Sequence, residues 1–331
     1  MATTMITPHA HHFIEDRIGS GFTIHKISGD ASFRTYYRVV LPDNATLVFM
    51  DAPPDKEDSR PFVDIATFLV RHAVSVPKIF HADVDRGFLL LEDFGDVTFL
   101  EALRQGENAK MLYTRAVADL LKLQKTPRDG RCIAHGRPYD RALLNREFAL
   151  LTDWYIPGIL KQTISDADQK TFQVVFDLII DQVLQQPVVL VHRDFHSRNL
   201  MWSKDRVGII DFQDAVTGPV TYDLASLLRD CYVAWDRPFR DELSQIWLQG
   251  AKESLGYRPD PETFARDFDF MAVQRNLKAV GIFGRLSLRD GKHGYLQDVP
   301  RTMGYVRETL PRYPELAPLA DMLVNYRVME P

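Results

Sequence analysis

Cysteine is scarce in this chain: Cys132 and Cys231 are the only two in 331 residues, and they lie far apart in sequence. That usage excludes a disulfide framework and fits reduced thiols in a cytoplasm. No apolar run approaches the roughly 20 residues that span a bilayer. The opening stretch, MATTMITPHAHHFIEDRIGS, has no basic start followed by an apolar core, so no secretory signal is read there. Surplus positive charge is missing as well. A formal net charge of −5 gives no reason to expect nucleic acid or an anionic membrane as partner. Internal repeats and low-complexity segments are absent. His9, His11 and His12 read as part of a solvated, frayed tail rather than a metal site. What remains is a soluble globular composition, long enough for two lobes around one cleft.

What the chain does carry is concentrated between Pro187 and Gln213, PVVLVHRDFHSRNLMWSKDRVGIIDFQ. Residues 188–191 form a short unbroken apolar run, as expected of a buried strand. His192, Arg193 and Asp194 follow at once, and Asn199 comes five positions after Asp194. Two further apolar runs flank the polar turn Ser203-Lys204-Asp205-Arg206, which predicts a hairpin ending at Asp211. Two carboxylates and an amide are thus placed on strand ends and one tight loop, where a rigid backbone can aim them at one point. Phosphoryl transfer needs such a set: an acid to take the acceptor's proton, and hard oxygen ligands for Mg²⁺ beside the phosphates. Asp194 is the expected proton acceptor, and Asn199 and Asp211 the expected metal ligands.

The spacing of Asp194, Asn199 and Asp211 resembles the catalytic pattern of protein kinases, although Gln213 stands where their Asp-Phe-Gly glycine would be. His196, between the Asp and the Asn, marks the aminoglycoside-phosphotransferase and choline kinase branch. The resemblance to aminoglycoside-phosphotransferase-like kinases covers most of the chain. It implies an α+β, protein-kinase-like bilobal fold. The expected N-lobe, residues 1–92, is an antiparallel sheet with one helix. The larger, mainly helical C-lobe, 93–331, carries the catalytic loop and metal site. The resemblance also implies that His192, Arg193 and His196 support the catalytic loop and that Asp223 holds its backbone. Asp223 reads equally as a favourable first-turn acid on a helix dipole.

Within the first 92 residues, strands are expected at 22–27, 33–41, 46–50, 76–81 and 88–91, with a helix at 60–72 capped by Ser59. A phosphate could approach the turn holding Gly29, Asp30, Ala31 and Ser32, with Arg34 on the same hairpin. Glu92 marks the hinge, whose backbone meets adenine in the kinase-like fold. One glycine here replaces the three of the kinase loop, and Met50 or a neighbour occupies the place of the strand lysine. Asp64 lies opposite the apolar stripe of its helix and is expected to face water, so the acid that pairs with that lysine is missing too. Arg34 is the candidate replacement for the lysine.

Further on, helices are expected at 98–104, 107–124 and 166–185, the last with a capping box of Ser165 and Asp168. Glu147, Trp154 and Tyr155 form a polar and aromatic cluster able to meet a sugar, although such aromatics are more often core. The segments HRDFHSRN, MDAPP (50–54) and QRNLKAVGIFGRL (274–286) are similar to one bacterial branch. Its members are the anomeric kinases of peptidoglycan recycling, which phosphorylate N-acetylmuramate and N-acetylglucosamine at C1. That resemblance implies ATP, Mg²⁺ and a small amino sugar as partners, with Arg275 among the substrate-side residues. Between 271 and 312, eight bases stand against three acids, a field that attracts a sugar carboxylate and repels a polycationic aminoglycoside. A kinase of another hydroxylated molecule and a non-catalytic nucleotide-binding scaffold are the rival readings. Retention of Asp194, Asn199 and Asp211 together argues against the scaffold.

Overall fold

Strands rich in β-branched and aromatic residues open the fold, and their period-two alternation decides which side chains meet which helix. In this computed structural model, which describes residues 6–27, 33–203 and 206–329, they form one antiparallel sheet. Its strands are β1 (Thr23–Ile27), β2 (Thr35–Val40), β3 (Thr46–Asp51), β4 (Ile79–Asp83) and β5 (Phe88–Glu92), in the order β1-β2-β3-β5-β4. On β3 and β5, Phe49 and Leu90 face one side while Met50, Leu89 and Leu91 face the other. The second side is covered by α2 (Arg60–Arg71), through Phe62, Ile65 and Leu69.

The first side is covered by α1 (Pro8–Ile18), which buries Ala10, Phe13 and Ile14 against Phe49, Phe88 and Leu90. This corrects the expectation of a frayed tail. Thr7 caps the helix by accepting the Ala10 N–H at 3.2 Å, and Pro8 fits its first turn. His9, His11 and His12 do lie on its exposed side.

The remainder is mainly helical: α3 (Phe99–Arg104), α4 (Ala109–Gln124), α5 (Arg141–Leu150), α6 (Asp166–Leu184), α7 (Tyr222–Leu228), α8 (Arg237–Ser254), α9 (Pro261–Asp290), α10 (Val299–Thr309) and α11 (Ala317–Asn325). The capping box of α6 is present: Ser165 Oγ accepts the Asp168 N–H at 3.1 Å and donates to the Asp168 carboxylate at 2.8 Å. A π-helical turn, Leu151–Ile159, continues α5 and lies against α9. The approach is close enough to need glycine: a Cβ on Gly281 would stand 2.4 Å from the Leu150 carbonyl carbon. Two small ladders complete the helical part. β6 (Val188–Val191) pairs with β9 (Val216–Pro219), and β7 (Leu200–Ser203) with β8 (Arg206–Ile209), both antiparallel. The catalytic motif occupies the loop from β6 to β7. Among the described residues, no helix is long and apolar enough to cross a membrane.

Candidate active site

β6 delivers His192, Arg193 and Asp194, and β8 delivers Asp211. Asn199 joins them: its Nδ2 donates to the Asp194 carbonyl at 3.0 Å and to Asp211 Oδ2 at 3.3 Å. Both strand ends leave ordinary backbone geometry. Arg193 has φ 81° and Asp211 φ 67°, left-handed values that non-glycine residues adopt only where neighbours compel them.

The compelling neighbours are identifiable. Gln213, where kinases carry glycine, donates from Nε2 to Asp211 Oδ1 at 2.8 Å, so the missing glycine is replaced by a side chain that fixes the acid. Asp223, fully buried at the start of α7, accepts the His192 and Arg193 N–H groups at 2.7 and 3.0 Å. Burial pushes its carboxyl up to about 6, against the pull of His192 and those two backbone donors. Seven residues on, past the end of α7, the buried Asp230 accepts the Ser197 N–H at 2.8 Å. One short helix therefore holds the loop at both ends. His192 donates from Nε2 to the Ile210 carbonyl at 2.9 Å and accepts the Asp194 N–H at Nδ1, which assigns its tautomer.

Behind Asp194 lies a buried ionic cluster contributed by α5 and α9. Lys278 Nζ donates to the Tyr222 hydroxyl at 2.9 Å, and stands 3.5 Å from Glu147 Oε1 and 4.0 Å from Asp194 Oδ1. Arg193 donates to Glu147 Oε1 at 2.7 Å, and Tyr139 and Gln274 donate to Oε2. Confinement works against an ionised Asp194. Lys278, His196, Arg193 and Arg275 outweigh it and hold the carboxyl well below the usual range. Burial pushes the His196 imidazole down, against the pull of Asp230 and Asp194, and its ring stands edge-on to Tyr232 at 5.2 Å.

Several expected substrate-side residues are placed elsewhere. Four protein donors and cations occupy the Glu147 carboxylate, leaving no acceptor site for a sugar hydroxyl. Arg275 is buried and donates to the Arg229 carbonyl at 3.1 Å, so it reaches Asp194 only through its field. Tyr155 is buried against Gly284 and lines a cavity of about 420 Å³ with Ile159, Leu160, Leu296 and Arg327, none of them a catalytic-loop residue. Trp154 is half-buried on the same π-helical turn.

On the sheet side, Gly29, Asp30, Ala31 and Ser32 lie outside the described residues. Arg34 is buried and pairs with Glu57 at 2.5 Å, in the stretch before α2. An acid partner for this cation, just ahead of β2, therefore exists, but a loop supplies it rather than the helix. Burial raises the Tyr36 hydroxyl, with Arg34, Asp211 and Glu57 all acting on it. Met50 is fully buried in the core between the sheet and α2. Asp64 does not simply face water: it accepts the Ile133 N–H at 2.7 Å and ties α2 to the helical part. Phe212 packs against Phe62 of α2 at 4.8 Å, a second tie. At the hinge, Glu92 uses its N–H in a bond to the Lys78 carbonyl (2.8 Å), and its carboxylate pairs with Arg206 of β8.

A part-exposed carboxylate at one strand end, with an amide and a second carboxylate gathered at the next, defines a phosphotransferase-type site on this fold. The chain belongs to the phosphotransferase enzyme family, APH, whose profile matches residues 23–261. It is 44% identical over 299 residues to an N-acetylmuramate/N-acetylglucosamine kinase of Pseudomonas putida, covering 90% of this chain and 86% of that protein. A protein of the same name from Neisseria meningitidis is 40% identical over 302 residues, covering 90% and 89%. Among solved structures, a Plasmodium vivax ethanolamine kinase superposes with a TM-score of 0.64 at 14% identity, covering 90% of this chain and 84% of that one. ADP-bound aminoglycoside phosphotransferase APH(2'')-Ib gives 0.61 at 14%, covering 91% and 98%. The expected protein-kinase-like fold is thereby present.

Sequence reading missed Lys278, Glu57, Asp230 and Gln213 as site residues. Asp223 and Asp230, acids seven apart around the apolar helix DLASLL, were the one available signal. Nothing local marks Lys278 or Glu57, because their partners are distant in sequence.

Proposed function

We propose that the chain transfers the γ-phosphate of ATP to the anomeric hydroxyl of N-acetylmuramate, N-acetylglucosamine or both. The convergence of Asp194, Asn199 and Asp211, in a chain 44% identical to a kinase named for those sugars, carries this reading.

The donor set suits Mg²⁺. Nδ2 of Asn199 is committed to Asp194 and Asp211, which leaves its amide oxygen as the free hard donor next to the Asp211 carboxylate. No cluster of three or more His, Cys, Asp or Glu exists among the described residues. That fits an ion usually held by one or two carboxylates plus phosphate oxygens. When bound, Mg²⁺ neutralises phosphate charge. Arg34, kept in place by Glu57, grips phosphate oxygens, and the backbone near Glu92 meets the base.

Asp194 accepts the proton of the sugar hydroxyl as its oxygen bonds to the γ-phosphorus; the bond to the β-phosphate oxygen breaks and ADP leaves. A carboxylate held so firmly ionised is a weak base, and an anomeric hydroxyl, more acidic than an ordinary alcohol, is the matching acceptor. The test is incubation with Mg-ATP and a panel of both sugars, plain hexoses and an aminoglycoside, with phosphorus NMR of the products. A sugar 1-phosphate is expected. Transfer to another position, or to neither sugar, overturns the reading.

A further inference from the structure

The catalytic loop is mounted differently at its two ends. Asp223 takes the N–H groups of His192 and Arg193, the residues that lead into Asp194. The other end is a tight turn, in which the Asn199 N–H donates to the His196 carbonyl at 2.9 Å. Ser197, fully buried at the second position of that turn, is gripped from outside the loop through both its N–H and its carbonyl. Asp230 accepts the N–H at 2.8 Å, and the carbonyl accepts the Leu100 N–H of α3 at 3.1 Å.

Asp230 is itself tightly held. Its other oxygen, Oδ1, accepts the Tyr232 N–H at 2.8 Å, so both oxygens are bonded to backbone donors. On one side of it, the Arg229 carbonyl accepts from Arg275 at 3.1 Å and from Asn276 at 3.2 Å, both on α9. On the other side, the Cys231 carbonyl accepts from Arg301 of α10 at 2.7 Å, and Cys231 Sγ lies 3.5 Å from the Arg275 guanidinium. Two helices thus fix a three-residue segment whose middle side chain reaches the turn that ends in Asn199. Burying a carboxylate is unfavourable unless its oxygens are bonded. Here both bonds go to main chain, so what the side chain directly sets is backbone geometry.

We propose that Asp230 is the positioning residue for the metal side of the site, held in place by Arg275. It sets the turn that aims the Asn199 amide oxygen beside Asp211, whereas Asp223 sets the side of the base. The proposal rests on Asn199 and Asp211 as the Mg²⁺ ligands. Nδ2 of Asn199 is bonded to Asp194 and Asp211, so a rotation of the turn breaks those bonds and carries the amide oxygen away with them. Asp230, fully buried, acts through the residues it holds.

The test is titration calorimetry of ADP with and without Mg²⁺ on the whole chain, the ratio of the two affinities being the metal enhancement. Asp230→Asn keeps the shape but turns an N–H group toward one of the two backbone donors. It is expected to lower the enhancement about tenfold and to leave metal-free ADP affinity within about twofold. Arg275→Met, which loosens the same segment with Asp230 intact, is expected to lower the enhancement about threefold. Asp223→Asn is expected to lower turnover with the enhancement unmoved. Adding Ser197→Pro to Asp230→Asn is expected to restore most of the enhancement. Proline is favoured at the second position of a turn where φ is negative, as it is at Ser197, and it has no N–H to be left without an acceptor. Thermal melts identify the variants that fold. An enhancement unmoved in folded Asp230→Asn or Arg275→Met overturns the proposal, as does an equal loss in Asp223→Asn. A folded double variant with no recovery also overturns it, by placing the action of Asp230 away from Ser197. Wild-type affinity for ADP that does not respond to Mg²⁺ removes the metal ligands, and the inference with them. No sugar enters the calorimetry, so inactivity on every acceptor sinks the kinase reading without deciding this one.

Discussion

The Lys278 ammonium stands 4.0 Å from Asp194 Oδ1, although the two residues are 84 positions apart and meet only in the folded chain. Lys278→Met should lower kcat by about 10- to 100-fold while both KM values change little, because the lysine acts on the base and not on bound substrate. In an Asp194→Asn background the same change should cost almost nothing more in kcat. Additive losses in that double-mutant cycle would mean that Lys278 acts elsewhere.

Asp194→Asn should itself cost about 10²- to 10⁴-fold in turnover with ATP binding preserved, as titration calorimetry would report. Asp211→Asn should fail differently, through a raised Mg²⁺ requirement and weaker nucleotide binding. An unchanged metal titration in that variant would remove Asp211 from the metal site.

Arg34→Ala should raise the KM for ATP with the sugar KM unmoved. Glu57→Gln should do the same more weakly, by releasing the guanidinium it holds. Met50→Ala should leave nucleotide kinetics intact but destabilise the fold by about 2–5 kcal/mol, since Met50 is fully buried between sheet and α2. Urea unfolding and ATP kinetics on the three proteins separate the outcomes. Normal ATP kinetics in Arg34→Ala would hand phosphate binding to backbone and metal.

Asp223 gives a stability test with a defined sign. Its folded value, about 6, lies above the about 3.9 of an unfolded aspartate, so the folded state holds the proton more tightly. Asp223 therefore contributes stability below about pH 4 that is lost as pH rises through about 6. The stability advantage of wild type over Asp223→Asn should shrink between acidic and neutral pH in urea titrations. An advantage that grows with pH would place the titration on another group.

The sequence makes local chemistry readable and leaves long-range chemistry hidden. The β7–β8 hairpin, the α6 capping box and the spacing of Asp194, Asn199 and Asp211 all follow from neighbours a few residues apart. Thr7 and Pro8 also announced α1, but the three histidines drew attention to a tail instead. Glu147 was visible as an unusual acid. That Arg193 and Lys278 would surround it depended on how α5 and α9 pack, which no periodicity states. The Arg34–Glu57 pair hid for a related reason, since its acid comes from a loop with no helical stripe around it.

α9 runs 30 residues without a break, from Pro261 to Asp290, capped by Asp260 and Gly291. At about 1.5 Å per residue it is a strut roughly 45 Å long. Lys278 sits inside it, and Lys292 sits just beyond its left-handed end. Altering the helix body, for instance at Gly281 where Leu150 leaves no room for a side chain, displaces Lys278 and the turn after Gly291 together. The segment after Gly291 is different, because a change there leaves the strut where it is. Exchange of that short turn therefore leaves Lys278 and the ionic cluster around Glu147 in place.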